Sequence, residues 1–219
     1  FVSAGSSRAV HALGSNGGIF RGNYFSGAQG GMLFSGESIG NKVIGNIFDG
    51  NLNNFGVELI GAGSRNTIED NYFEGNTPWN IRVGQNATII NGNTFHSGPD
   101  LLLGGAGSVI YGNLFNADIT ITGNDHIFLT NSITTASLTN NGTRISFIGN
   151  NTTDSNTFIS TFTRTLFVSE QNNFAGSFAA NNPSGNVLRI FNQSETGFGT
   201  LNIRDLNNKD VGGIGLGNS

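Results

Sequence analysis

The sequence predicts an all-β solenoid, and three observations carry that prediction. A tetrapeptide recurs as Gly22-Asn23-Tyr24-Phe25, Gly45-Asn46-Ile47-Phe48, Asp70-Asn71-Tyr72-Phe73, Gly92-Asn93-Thr94-Phe95 and Gly112-Asn113-Leu114-Phe115. Weaker echoes follow at Thr130-Asn131-Ser132-Ile133 and Gly149-Asn150-Asn151-Thr152, and successive asparagines stand 23, 25, 22, 20, 18 and 19 residues apart. An apolar residue lies three before each of them: Phe20, Val43, Ile68, Ile90, Ile110, Phe128 and Phe147. Units this short cannot bury a core alone and must stack.

Each unit reads as three short strands. Two flank the asparagine, as Ile68 and Phe73 flank Asn71. The third shows period-two alternation at Val57/Leu59, Ile81/Val83, Leu101/Leu103, Ile119/Ile121 and Ala136/Leu138, closed by Gly61, Gly84, Gly104 and Gly123. No segment carries the i, i+3, i+4, i+7 apolar pattern of a helix. A buried asparagine needs its amide satisfied, and stacking one above another at about 4.8 Å provides that. Phe25, Phe48, Phe73, Phe95 and Phe115, continued by Ile133, form a second stack beside it. In this register Asn71 belongs to the buried ladder, whereas Asn66 falls on an outward turn.

An Asn ladder, an aromatic stack and coils near twenty residues together resemble the right-handed parallel β-helix of pectate lyases, related carbohydrate-active enzymes and phage tailspikes. The resemblance covers roughly residues 16 to 153 and implies a right-handed single-stranded parallel β-helix of about seven coils. It also implies that the alternating third strand carries the binding groove. It does not fix an activity, since the scaffold serves lyases, hydrolases, epimerases and inert adhesins. We therefore divide the chain into β-helix coils over 1–153 and terminal coils, a cap or an oligomerisation segment over 154–219. In the latter part the repeat fades, with strands expected around Val187–Phe191 and Leu201–Leu206.

Composition narrows the partners. Charged residues make up 11% of the 219 and the formal net charge is −4, so the surface is built of amides and hydroxyls. That surface is poor for nucleic acid, which needs clustered cations, and suits neutral polyols. There is no cysteine, and neither His11 nor His126 has companions at metal-ligand spacing, so no metal and no cofactor is expected. The chain begins at Phe1 without a signal peptide or transmembrane run, as a fragment or processed form would, and no membrane insertion is expected.

Aligning the coils on the ladder gives outward columns, and these hold the candidate sites. One runs through Ser26, Asp49, Glu74, His96, Asn116 and Thr134. Another, on the third strand, runs through Leu33, Glu58, Arg82, Leu102, Thr120 and Ser137, with Gly56, Asn80, Asp100 and Asp118 one step earlier. Glu58 and Arg82 should pair across coils, and Asp100 and Asp118 should stack about 5 Å apart, the carboxylate separation of a retaining glycosidase. Glu58, Arg82, Asp100 and Asp118 are accordingly the candidate catalytic and glycan-contacting residues. A third set is apolar: Tyr24, Ile47, Tyr72, Thr94 and Leu114, beside Ile44, Tyr111, Leu129 and Ile148. A corner of Tyr24, Ile47, Tyr72, Leu114 and Tyr111 is expected to be buried in a homotrimer.

The reading these features favour is a tailspike-like receptor-binding β-helix, extracellular or on a virion surface, that recognises surface polysaccharide and could depolymerise it. A secreted monomeric polysaccharide lyase or glycoside hydrolase is the first alternative, and an adhesive or structural solenoid the second.

Overall fold

The computed structural model describes residues 8–27, 31–52, 55–134, 138–152, 158–160, 165–168, 178–180, 199–204 and 210–216. It is a parallel β-solenoid of about six turns. Three strands per turn generate three parallel sheets. The first contains Val10–Leu13, Met32–Ser35, Val57–Leu59, Ile81–Val83, Leu101–Leu103, Ile119–Ile121 and Leu138–Asn140. The second contains Ile19–Arg21, Lys42–Ile44, Thr67–Glu69, Ile89–Asn91, Val109–Tyr111, Ile127–Leu129 and Ile145–Ile148. The third contains Tyr24–Ser26, Ile47–Asp49, Tyr72–Glu74, Thr94–Ser97, Leu114–Phe115, Ser132–Ile133 and Asn151–Thr152.

Parallel pairing continues past residue 153: Phe158–Ser160 aligns with Leu138–Asn140, Thr165–Val168 with Ile145–Ile148, and Phe178–Ala180 with Phe158–Ser160. These strands belong to a compact unit spanning Phe1–Pro183. The second unit, Ser184–Ser219, contains an antiparallel pair of Gly199–Arg204 with Asp210–Leu216. The strand expected around Val187–Phe191 lies outside the described residues.

The tetrapeptide has a division of labour. Its first residue takes a left-handed backbone at every coil: Gly22, Gly45, Asp70, Gly92, Gly112, Thr130 and Gly149 have φ between 48° and 66°. Glycine adopts that conformation without penalty, which explains why it dominates the position. The asparagine follows, the third residue faces out and the fourth faces in. Phe25, Phe48, Phe73, Phe95 and Phe115 stack with ring centroids 4.8 to 5.1 Å apart and planes within 14° of parallel. Each is buried, and such burial contributes about 2 kcal/mol per ring. The second sheet supplies Val43, Ile68, Ile90, Ile110, Phe128 and Phe147, and the first supplies the alternating pairs from Met32/Phe34 to Ile119/Ile121.

The ladder satisfies its amides in both directions along the solenoid. Asn71 Oδ1 accepts the backbone and side-chain N–H groups of Asn46 at 2.8 and 3.0 Å. Asn71 Nδ2 donates to Val43 O at 2.9 Å and to Asn93 Oδ1 at 3.0 Å. Asparagine alone among the side chains offers both donors and an acceptor at this reach.

Two expectations need correcting. Asn66 does not lie on an outward turn; it is buried in a second ladder ahead of the second sheet. There its Oδ1 accepts from Asn41 N and Nδ2, and its Nδ2 donates to Ser38 O and Gln85 Oε1. The preceding residues again have positive φ, from Gly40 through Arg65 to Asp125, but glycine is rarer there and the repeat is harder to see. The other correction is a two-residue slip in the first sheet. Leu138 and Asn140, rather than Ala136 and Leu138, align with Ile119 and Ile121. Alternation is blind to a shift of two. The inward Asn140 is tolerated because its Oδ1 accepts the Gly142 N–H at 2.9 Å. Ala136 and Ser137 lie outside the described residues.

Candidate functional site

The outward column of the first sheet places Leu33, Glu58, Arg82, Leu102 and Thr120 in register, with Thr139 next. Glu58 and Arg82 are paired as their spacing predicts: Arg82 Nη1 donates to Glu58 Oε1 at 2.8 Å. Their environments differ sharply, since the Glu58 side chain is 3% exposed and that of Arg82 is 44% exposed. The reason is a residue the periodicity did not single out. Arg8 places its Nη2 against Glu58 Oε2, so the carboxylate sits between two guanidinium groups. Arg82 also lies over the Phe55 ring, 5.4 Å from its centroid.

Phe55 and Trp79 occupy equivalent positions on consecutive coils, at the corner where the chain enters the first sheet. The Gly56 N–H bonds to Trp79 O just as the Gly31 N–H bonds to Phe55 O. Both aromatic residues are half-buried, and Leu52 nearby in sequence is exposed. Phe55 lies outside the repeating tetrapeptide, and Trp79 is the only tryptophan in the chain. An aromatic residue at a corner, where the core has no need of one, was the signal that could have found them.

Asp100 and Asp118 do not form an exposed acid pair. Asp118 is exposed, but Asp100 is completely buried. Asp100 ends a third ladder that runs from Asn51 to Asn76 Oδ1, from Asn76 to Asn80 Oδ1 and from Asn80 to Asp100 Oδ1. Its Oδ2 accepts the backbone N–H groups of Asn116 and Ala117 at 2.9 and 2.7 Å. A carboxylate has only acceptors, so it closes a chain of donors. Burial pushes its pKa up to about 7, against the lowering effect of the Ala117, Asn80 and Asn116 donors. With no exposed surface, Asp100 cannot touch a bound polymer. Its oxygens serve the ladder, and the exposed carboxylate pair expected of Asp100 with Asp118 is not formed.

The column on the third sheet keeps Ser26, Asp49 and Glu74 in register, but Ser97 rather than His96 stands opposite Glu74 because a bulge intervenes. His96 Nε2 lies 3.9 Å from Glu74 Oε1, with both side chains exposed. The Tyr24 hydroxyl donates to Asp49 Oδ2 at 2.7 Å and the Tyr72 hydroxyl to Glu74 Oε2 at 2.9 Å. The Asp49 hydrogen bond raises the Tyr24 pKa, and burial together with Glu74 raises that of Tyr72. Both phenols stay protonated.

The apolar stripe is real but interrupted. Tyr24, Ile47 and Tyr111 are exposed, whereas Ile44, Tyr72, Leu114, Leu129 and Ile148 are half-buried. Glu69 and Asn91 occupy the rungs between Ile44 and Tyr111, joined by an Asn91 Nδ2 to Glu69 Oε1 bond of 3.1 Å. The second sheet adds exposed Ile89 and Ile127.

Among the described residues no group of three or more His, Cys, Asp or Glu could hold a metal ion, and no helix is long and apolar enough to cross a membrane. Compared with protein-family models and with curated proteins, the chain matches none of either.

Proposed function

We propose that the chain is a receptor-binding β-helix of the tailspike kind, displayed on a virion or in the extracellular space, that recognises a surface polysaccharide. One observation carries this reading: Phe55 and Trp79 stand at equivalent corners of consecutive coils, and Arg82, whose guanidinium is held by buried Glu58, lies over the Phe55 ring. The part of a half-buried aromatic ring that remains open accepts the C–H faces of pyranose rings, and a fixed guanidinium donates to sugar oxygens. Arg82 stands on a stacked strand and the two aromatic residues on the corners that lead into that sheet, so these groups lose little freedom on binding. Binding without cleavage is favoured over the lyase or hydrolase reading, since Asp100 is sealed inside, where it cannot act with Asp118 on one bond of a polymer.

The test is affinity electrophoresis through gels containing candidate host polysaccharides. Phe55→Ala and Trp79→Ala should lose at least about tenfold in retention, in line with the loss of one stacked ring. Equal retention in both variants and the parent would overturn the assignment. Release of reducing or unsaturated ends by the parent would restore the enzyme reading.

The same proposal includes a homotrimer that buries the Tyr24, Ile47, Tyr72, Leu114 and Tyr111 corner. Apolar residues that recur once per coil are matched best by a neighbour of identical pitch, and a parallel copy of the chain has that pitch. Sedimentation should show a trimer in the parent and dissociation in Ile47→Asp. A parent that is monomeric at micromolar concentration would sink the assembly.

A further inference from the structure

The cluster around Glu58 carries more charge than the pair it was expected to be. Two guanidinium groups face one carboxylate, which leaves a formal charge of +1. Glu58 is almost fully buried and Arg8 largely so, and there charge is screened less than on the open surface. Arg8 Nη1 is buried and has no hydrogen-bond partner among the described residues. Arg82 uses Nη1 on Glu58, lies over the Phe55 ring and has a side chain that is 44% exposed, and its guanidinium carries further N–H donors beyond that one bond.

Such an arrangement is matched to an anion. A guanidinium fork presents two parallel N–H groups to the two oxygens of a planar or tetrahedral oxyanion. The Glu58 carboxylate cancels one of the two positive charges, so the cluster is neutralised by a monoanion and over-neutralised by a dianion. We infer that Arg8, Glu58 and Arg82 form a subsite for a monoanionic oxyanion, a carboxylate or a sulfate ester, carried on the glycan. The inference rests on the glycan reading above and adds the chemical class of the sugar. The outward column already set an arginine beside carboxylates, where it could neutralise a uronate; what the column lacked is Arg8, which stands outside it and supplies the second positive charge.

The test compares polymers that share a backbone and differ in one group. Hydroxyethyl, carboxymethyl and sulfated cellulose form one set, and dextran, carboxymethyl dextran and dextran sulfate another. The full chain should be retained by a carboxymethyl or sulfated polymer at least about tenfold more strongly than by its neutral counterpart, as charge-assisted hydrogen bonds imply. The −4 net charge of the chain works against nonspecific attraction to polyanions. Whichever of the two charged polymers binds better identifies the group. Arg82→Gln should abolish the preference, Arg82→Lys should keep part of it, and Arg21→Gln, the same charge change at another exposed position, should leave it intact. Thermal melts establish that the variants are folded. Equal retention of acidic and neutral polymers, or an Arg82→Gln variant that keeps the preference, overturns the anion subsite and leaves glycan binding standing. Retention of none of the six polymers counts against the glycan reading and takes the subsite with it.

Discussion

Asp100 and His126 should give this solenoid two opposed pH dependences that nearly cancel. Both side chains are completely buried. Burial raises the Asp100 pKa from 3.8 to about 7 and lowers that of His126 from 6.5 to about 4. Between pH 4 and 7 the folded chain keeps a proton on Asp100 that the unfolded chain has lost. Asp100 therefore contributes stability that is fully present below pH 4 and falls away as pH rises to 7, about 4 kcal/mol in all at about 1.4 kcal/mol per unit. His126 works in reverse. Its Nδ1 accepts the Ser108 N–H at 3.1 Å and must stay unprotonated to do so. Its contribution is present above pH 6.5 and is lost as pH falls towards 4, about 3 kcal/mol in all. Two variants separate them. Asp100→Asn leaves only the His126 slope, so stability should climb from pH 4 to 6.5. His126→Asn retains an acceptor like Asn41 and Asn66 in the same ladder, and its stability should decline over that range. Urea unfolding of the full chain at half-unit pH steps reads both, with the difference from the parent cancelling titrations common to all three. The slope is diagnostic and the offset is not, because Asp100→Asn also alters the bonds that Asn80, Asn116 and Ala117 donate to this side chain. Profiles parallel to the parent in both variants would refute the reasoning.

Two further outcomes follow from the ladders and the turns. Asn71→Leu and Asn66→Leu should both lower the urea midpoint, each by the equivalent of about 2–4 kcal/mol, since each strands buried amides on neighbouring coils; a harmless Asn66→Leu would mean that the second ladder is not buried. Thr130→Gly should stabilise the chain by about 1 kcal/mol, because a β-branched residue at φ 48° is strained where glycine is not; an unchanged or lower melting temperature would place that turn in another conformation.

What the sequence disclosed depended on how strictly each position is constrained. The first residue of the tetrapeptide must adopt a positive φ, the second must bond in both directions, and the fourth must fill a gap of fixed size. Gly, Asn and Phe answer these demands almost uniquely, so the ladder and the stack could be read directly. The second ladder meets the same demands with Asn41, Asn66, Thr88, Ser108 and His126, among which Ser108 Oγ accepts from Thr88 N and His126 Nδ1 from Ser108 N. Because several chemistries can each accept one N–H, Asn holds only the first two of these rungs and the ladder stays hidden. The site was half legible for a related reason. Register alone brings Arg82 beside Glu58, and alternation could predict that. Whether a carboxylate is buried or exposed depends on what arrives from elsewhere, and for Glu58 that is Arg8, two coils away in sequence and outside any column. Asp100 was misread in the same way. An aspartate one step ahead of a strand reads as a surface acid until Asn80, Asn116 and Ala117 are seen to aim three donors at it. Periodicity therefore reports the scaffold, whereas the chemistry resides where the period is broken: at Arg8, Phe55, Trp79 and the carboxylate that ends a ladder.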